Sequence, residues 1–220
     1  MAFKIIFIIK SGHINDVDYN YVNSLEVIDG DFRGKMPSLE DVFNFCKDKV
    51  FMNVEIKDKN FKETTDLVVD LIKKHKNENQ LCISSFHHEY NKELLQFPLN
   101  IQFQFLYNSE LKLEYPSEET YKNNKRGTVN MFYGYITEDI VKEAHSKNFG
   151  VMAWCNKKKN DKVKVEEDEE TFLNLMKMGV DIICSNKPEV AINARKKFIE
   201  SLSLSEGTSE GLSEGIPVSN

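Results

Sequence analysis

The apolar positions of this chain change their period again and again. Leu39, Val42, Phe43 and Cys46 recur at three- and four-residue spacing, which predicts a helix with Ser38 as N-cap and Pro37 barring helix before it. Residues 50–56 then read as a buried strand. The same alternation continues with a helix near 62–76 that carries Leu67, Val68, Leu71 and Ile72, and a strand over 81–86. A helix near 88–96, a strand over 101–106, an irregular stretch over 107–127 and a strand over 128–133 come next. Thr137, with Glu138 and Asp139 behind it, is expected to open a helix over 137–147 with a capping box. A strand over 149–154, a charged loop, a helix near 169–178, a strand over 180–185 and a helix over 188–200 complete the series. Residues 3–9 form a short apolar run suited to a further strand, and residues 11–35 are polar and turn-rich. Strands that are almost continuously apolar and alternate with helices predict a parallel sheet covered on both faces. A doubly wound sheet and a (β/α)8 barrel both satisfy the pattern, and no Gly-rich nucleotide loop favours the first.

At 220 residues and 40% hydrophobic content the chain can build one sizeable core. Residues 1–200 are expected to form that domain, and the Ser-, Glu- and Gly-rich residues 201–220 a disordered tail. The net charge of −6, with scattered basic residues, suggests no nucleic acid partner. The longest apolar run falls far short of the ~20 residues of a membrane span. Cys46, Cys82, Cys155 and Cys184 are widely separated and read as reduced core thiols, which fits a cytoplasmic location. "KKKNDKVKVEEDEE" at 157–170 reads as a solvated loop insertion.

Side chains two apart in a strand share a face. Phe51, Asn53, Glu55 and Lys57 therefore lie together, opposite the apolar Val50, Met52, Val54 and Ile56. The mixed face turns charged toward the carboxyl end of the strand, where parallel α/β folds gather their active sites. A carboxylate there needs a partner, either Lys57 or a divalent cation. Met152, Trp154 and Asn156 repeat the design, with the chain's single tryptophan at the end of its strand. Ser84 and Ser85 before His87 and His88 hint at a hydrolase, but no GxSxG elbow is present and the segment reads as a strand running into a helix cap.

Four segments in order resemble the glycerophosphodiester phosphodiesterase family. "MPSLEDVFNFCKDKVFMNVEIK" is similar to its Pro-[ST]-Leu-Glu helix and Asn-x-Glu-x-Lys strand, and "ISSFHHE" to its Ser-Ser-Phe strand end. "ITEDIVKEAHSKNFGVMAWCN" and "MGVDIICSNKPEVA" resemble its last two units. The resemblance implies a (β/α)8 barrel and metal-dependent hydrolysis of glycerophosphodiesters or lysophospholipids, a step in lipid metabolism. It implies Glu55 as a ligand of Mg2+ or Ca2+, Lys57 on the phosphate, and Phe86 and Trp154 against the substrate.

The chain departs from the family at the start. No His-Arg-Gly and no Glu-x-Asp strand precedes residue 36, and none of His13, His75, His87, His88 or His145 stands where the family's catalytic pair would. The catalytic residues are therefore unassigned. The expectation is a barrel incomplete at its N-terminus, with about six to seven βα units, that holds the metal loosely and is weakly active or inactive. The alternative is a non-catalytic barrel-like protein that binds a phospho-ligand or a partner.

Overall fold

The computed structural model describes residues 16–57, 61–88, 100–107, 113, 115, 127–155 and 166–209. The expected strand over 3–9, His13, most of the expected helix near 88–96, Asn156, the insertion as far as residue 165 and the tail beyond 209 lie outside these residues. The chain divides into two compact units, Met1–Ile83 and Ser84–Asn220.

In the first unit, helix α1 (Tyr19–Ser24) is opened by Asp18, whose carboxylate accepts from Tyr21 N at 2.8 Å. An antiparallel hairpin follows, β1 (Glu26–Asp29) with β2 (Phe32–Lys35). Gly30 turns its two-residue loop at φ +56°, a conformation that favours glycine. Asp-Gly between runs carrying Val27, Ile28 and Phe32 is a hairpin signal that the turn-rich reading of residues 11–35 overlooked. Helix α2 (Leu39–Cys46) starts at Ser38 as expected, and here a full capping box forms: Asp41 N donates to Ser38 Oγ, and Ser38 N donates to the Asp41 carboxylate.

Gln80 sets the path from α2 into the next strand. Its amide donates to the carbonyls of Cys46 and Val50, both at 2.8 Å, and accepts from Asp48 N, which turns at φ 58°. Strand β3 (Met52–Glu55) leaves this anchored turn. Met52 and Ile56 are buried, while Phe51 is 56% exposed and Asn53, Glu55 and Lys57 are open to solvent. The alternation is as expected, but the strand is buried on one face only. Helix α3 (Phe61–His75) buries Thr65, Val68, Val69 and Ile72, spaced along one stripe, and leaves Leu67 exposed. Next to β3 in its sheet runs β4 (Leu81–Ser85), fully buried.

The second unit holds β5 (Gln102–Tyr107), β6 (Thr128–Phe132), β7 (Gly150–Trp154) and β8 (Ile182–Cys184), parallel neighbours in chain order. Sequential parallel strands need crossovers, supplied among the described residues by helices α4 (Glu138–Ser146) and α5 (Glu169–Lys177). Thr137 caps α4 through Ile140 N, but the box is not reciprocal, because Ile140 has no acceptor to return the bond. Helix α6 (Pro188–Ser209) packs on α5 and continues well past residue 200, into the stretch expected as tail. The hydroxyls of Ser201 and Ser203 turn back onto the carbonyls of Phe198 and Ile199.

Register sorts this sheet into two faces. Phe103, Phe105, Val129, Met131, Val151 and Ala153 form an apolar, buried face. The other carries Gln104, Thr128 and Asn130, all buried, and then Leu106, Phe132, Trp154 and Cys184 toward the carboxyl ends. The buried polar row is hydrogen-bonded along its length: Asn130 Nδ2 donates to Gln104 Oε1 at 2.8 Å, and Thr128 Oγ1 donates to Asn130 Oδ1 at 2.6 Å. Strands that look nearly all apolar thus hide a polar ladder on one side.

Candidate functional site

Each sequence-predicted site residue stands at or just beyond the carboxyl end of a strand. Glu55 ends β3 and Lys57 follows two residues later, with Nζ 3.3 Å from Glu55 Oε2. The Glu55 side chain is 31% exposed and that of Lys57 75%. Burial therefore does not oblige the carboxylate to take a partner, and a pair this open is worth about 0–1 kcal/mol. Glu55 remains available to an incoming cation, and Lys57 to an incoming anion.

In the second unit an aromatic rim forms around Trp154. Phe86, directly after β4, meets its ring edge-on at 6.3 Å, and Phe132 at the end of β6 tilts against it at 5.8 Å. Phe132 also stacks on Tyr133 at 5.3 Å and meets Tyr135 at 5.6 Å. Such geometries suit the ring quadrupoles. Sequence reasoning missed Tyr133 and Tyr135, although the aromatic run "MFYGY" at the strand end was a usable signal. The indole N–H of Trp154 is buried and meets no acceptor among the described residues. Cys184, in register with Trp154, is exposed rather than a core thiol; Cys46 is half-buried, Cys82 and Cys155 are buried, and no disulfide links any of the four. Burial pushes the Cys82 thiol up to about 12, so it stays protonated and inert.

Behind the rim lies a carboxylate that the charge pattern assigned to a solvated loop. Glu167 is 3% exposed. It accepts from Ser185 Oγ at 3.0 Å, Asn186 N at 2.7 Å and Asn186 Nδ2 at 3.1 Å, and the Cys155 thiol lies beside it. Burial alone would push its pKa up, but these donors together outweigh burial and hold it below the ordinary 4.5. The Tyr133 phenol is shifted far upward by burial, reinforced by the Cys155 thiol beside it and by the charges of Glu167 and Asp168. A carboxyl with a depressed folded pKa contributes stability above its unfolded value, and that contribution is lost as pH falls through the folded one. Stability of the second unit should therefore decline below about pH 4.5. Urea unfolding followed by Trp154 emission at stepped pH checks this. The decline should be shallower in Glu167→Gln, and parallel curves would refute the assignment.

Three of the described histidines, His75, His88 and His145, are engaged elsewhere. His75 packs edge-on against Phe43 and lies 3.2 Å from Glu40. His88 Nε2 lies 2.8 Å from the Leu106 carbonyl, between the Phe105 and Tyr107 rings, and His145 pairs with Asp181 at 2.9 Å. Ser85 Oγ accepts from His87 N, a local turn at the strand end rather than a nucleophile–base pair. Among the described residues no three His, Cys, Asp or Glu side chains converge as metal ligands. Ca2+ takes six to eight oxygen ligands, and Mg2+ is held by one or two carboxylates together with waters and substrate phosphate, so Glu55 by itself would hold such an ion only loosely. No helix of these residues is long and apolar enough to cross a membrane.

Residues 9–190 match the model of the glycerophosphoryl diester phosphodiesterase family. The chain is similar to the solved structure of a candidate glycerophosphodiester phosphodiesterase from Galdieria sulphuraria, with 23% identity, a TM-score of 0.66, and 83% of this chain and 72% of that one covered. It is also similar to a glycerophosphodiester phosphodiesterase from Parabacteroides distasonis, at 18% identity and TM-score 0.63 over 86% and 74% of the two chains. An Oleispira antarctica phosphodiesterase, solved with its product sn-glycerol-3-phosphate, matches at 18% identity and TM-score 0.55 over 73% and 61%. No curated protein matches the sequence. These likenesses establish an α/β fold of the phosphodiesterase barrel type.

Proposed function

The chain belongs to the glycerophosphoryl diester phosphodiesterase family, and on that premise we propose that it takes up glycerophosphodiesters or lysophospholipids in lipid metabolism in the cytoplasm, cleaving them slowly or not at all. The observation that carries this reading is the aromatic rim at the carboxyl ends of the strands, centred on Trp154. Ring faces shield the carbon skeleton of a glycerol or acyl group from water. Phe86 and Trp154 contact that skeleton. In the first unit, Lys57 offers a mobile ammonium to a phosphate, and Glu55 a carboxylate to a divalent cation.

The slow-or-absent hydrolysis follows from the chemistry that the described side chains can supply. Cleavage of a phosphodiester to an alcohol and a phosphomonoester needs a proton donor for the leaving oxygen and a base for water. Each such group is worth about 10²–10⁴-fold. His75, His88 and His145 are committed to Glu40, Leu106 and Asp181 and stand ready for neither task. The reading that the chain binds such ligands without cleaving them is favoured by the same three contacts.

The experiment has two arms. sn-Glycerol-3-phosphate should change the emission of Trp154, the single tryptophan, in the full chain. Glycerophosphocholine with added Mg2+ or Ca2+ should release product no faster than a buffer control. Turnover that disappears in Glu55→Ala would overturn the proposed lack of activity, and an unresponsive Trp154 would overturn the binding site.

A further inference from the structure

The ends of β7 and β8 are joined by a carboxylate. Cys155 directly follows Trp154, and its backbone N donates to the Cys184 carbonyl at 3.4 Å. Its thiol reaches Glu167. Ser185 and Asn186 directly follow β8, and both donate to Glu167. Ser185 Oγ in turn accepts from Lys187 N, which tightens the same turn. One buried side chain thus takes donors from the turn after β8 and lies beside the thiol of the residue after β7, while standing just ahead of the N-cap of α5.

A buried carboxylate is costly unless its oxygens are filled, and here three donors fill them. A neutral side chain could not replace it. Glutamine has one acceptor oxygen, and its NH2 would face groups that already donate. The charge is needed because all the converging groups are donors, and its effect is to fix the separation of the two strand ends that carry Trp154 and Cys184.

We infer that Glu167 is a positioning residue for the ligand rim, setting the placement of Trp154 through Cys155 and the turn after β8. The inference rests on the reading of that rim as the ligand site. Glu167 touches no substrate; it acts through the segments it ties.

The test compares Glu167→Gln with Asp168→Ala. Asp168 caps α5, accepting from Thr171 N at 2.9 Å, and its loss lowers stability while leaving the hydrogen bonds of Glu167 in place. Glu167→Gln should shift Trp154 emission to the red as the buried indole N–H gains water. It should weaken sn-glycerol-3-phosphate binding roughly tenfold, about 1.4 kcal/mol of lost contact with the rim. Asp168→Ala should leave both unchanged. Wild-type emission and affinity in folded Glu167→Gln would overturn the inference, as would a matching shift in Asp168→Ala. If Glu167→Gln does not fold, Asn186→Ala removes one donor and keeps the backbone N–H; it should shift the emission the same way by less, and no shift there overturns the inference. Failure of wild type to bind sn-glycerol-3-phosphate would sink the ligand-site reading alone, and the emission comparison would still decide the role of Glu167.

Discussion

Gly127→Ala should destabilise the second unit by about 3 kcal/mol or more, at the upper end of overpacking costs. A Cβ built on Gly127 would run into the Phe103 carbonyl oxygen and lie 2.8 Å from its carbon. Both are backbone atoms, so no rotamer change relieves the clash. Gly127 O also accepts from Gly150 N at 3.2 Å, so the residue is held by the start of β7 while pressed against β5. Moving it away from Phe103 loosens the entry of β6 on either side. Gly150→Ala is the comparison. Its Cβ would meet Thr128 Cγ2 at 3.0 Å, a side-chain atom with some freedom to yield. Urea unfolding followed by Trp154 emission should therefore rank wild type, Gly150→Ala and Gly127→Ala in falling stability. Equal midpoints for wild type and Gly127→Ala would show that the close approach of β5 and β6 is not as described.

Asn130→Ala should cost about 2–3 kcal/mol by the same measurement. Asn130 is fully buried and bridges two strands, accepting from Thr128 Oγ1 and donating to Gln104 Oε1. Truncation deprives both partners of that bond in a place water does not reach, and each buried polar group left short costs about 1–3 kcal/mol. Double substitution of Asn130 with Gln104→Leu should recover part of the loss, because removing both ends of the bond leaves fewer groups stranded. Purely additive losses would argue against the ladder.

Much of the fold was legible because the signals are local. Ser38 and Thr137 cap their helices, since a side-chain oxygen at that position satisfies an otherwise orphaned N–H. The period-two alternation placed Glu55 and Lys57 on one face, and their ion pair forms there. The ordered motifs pointed to the family that the match over residues 9–190 establishes. Boundaries failed where local pattern was silent or misleading. The β1–β2 hairpin was lost because its Asp-Gly turn lies in polar surroundings. The run of α6 into the Ser-rich stretch escaped because Ser201 and Ser203 satisfy their hydroxyls within the helix.

The candidate site divided in the same way. That Trp154, Phe86 and Glu55 would stand at strand ends followed from strand length and alternation alone. Which carboxylate would be buried did not. Glu55, on an apparently buried strand, is open, and Glu167, within a run of charges, is nearly inaccessible. Burial of a charge depends on donors brought from elsewhere, here Ser185 and Asn186 from 18 and 19 residues along the chain. The sequence by itself determined the βα alternation, the helix starts and the family, because those rest on period, caps and ordered motifs. Only the tertiary structure decided the aromatic company of Trp154, the polar ladder at Asn130 and the anchoring by Glu167, because each is a sum of contacts between segments whose meeting no local pattern encodes.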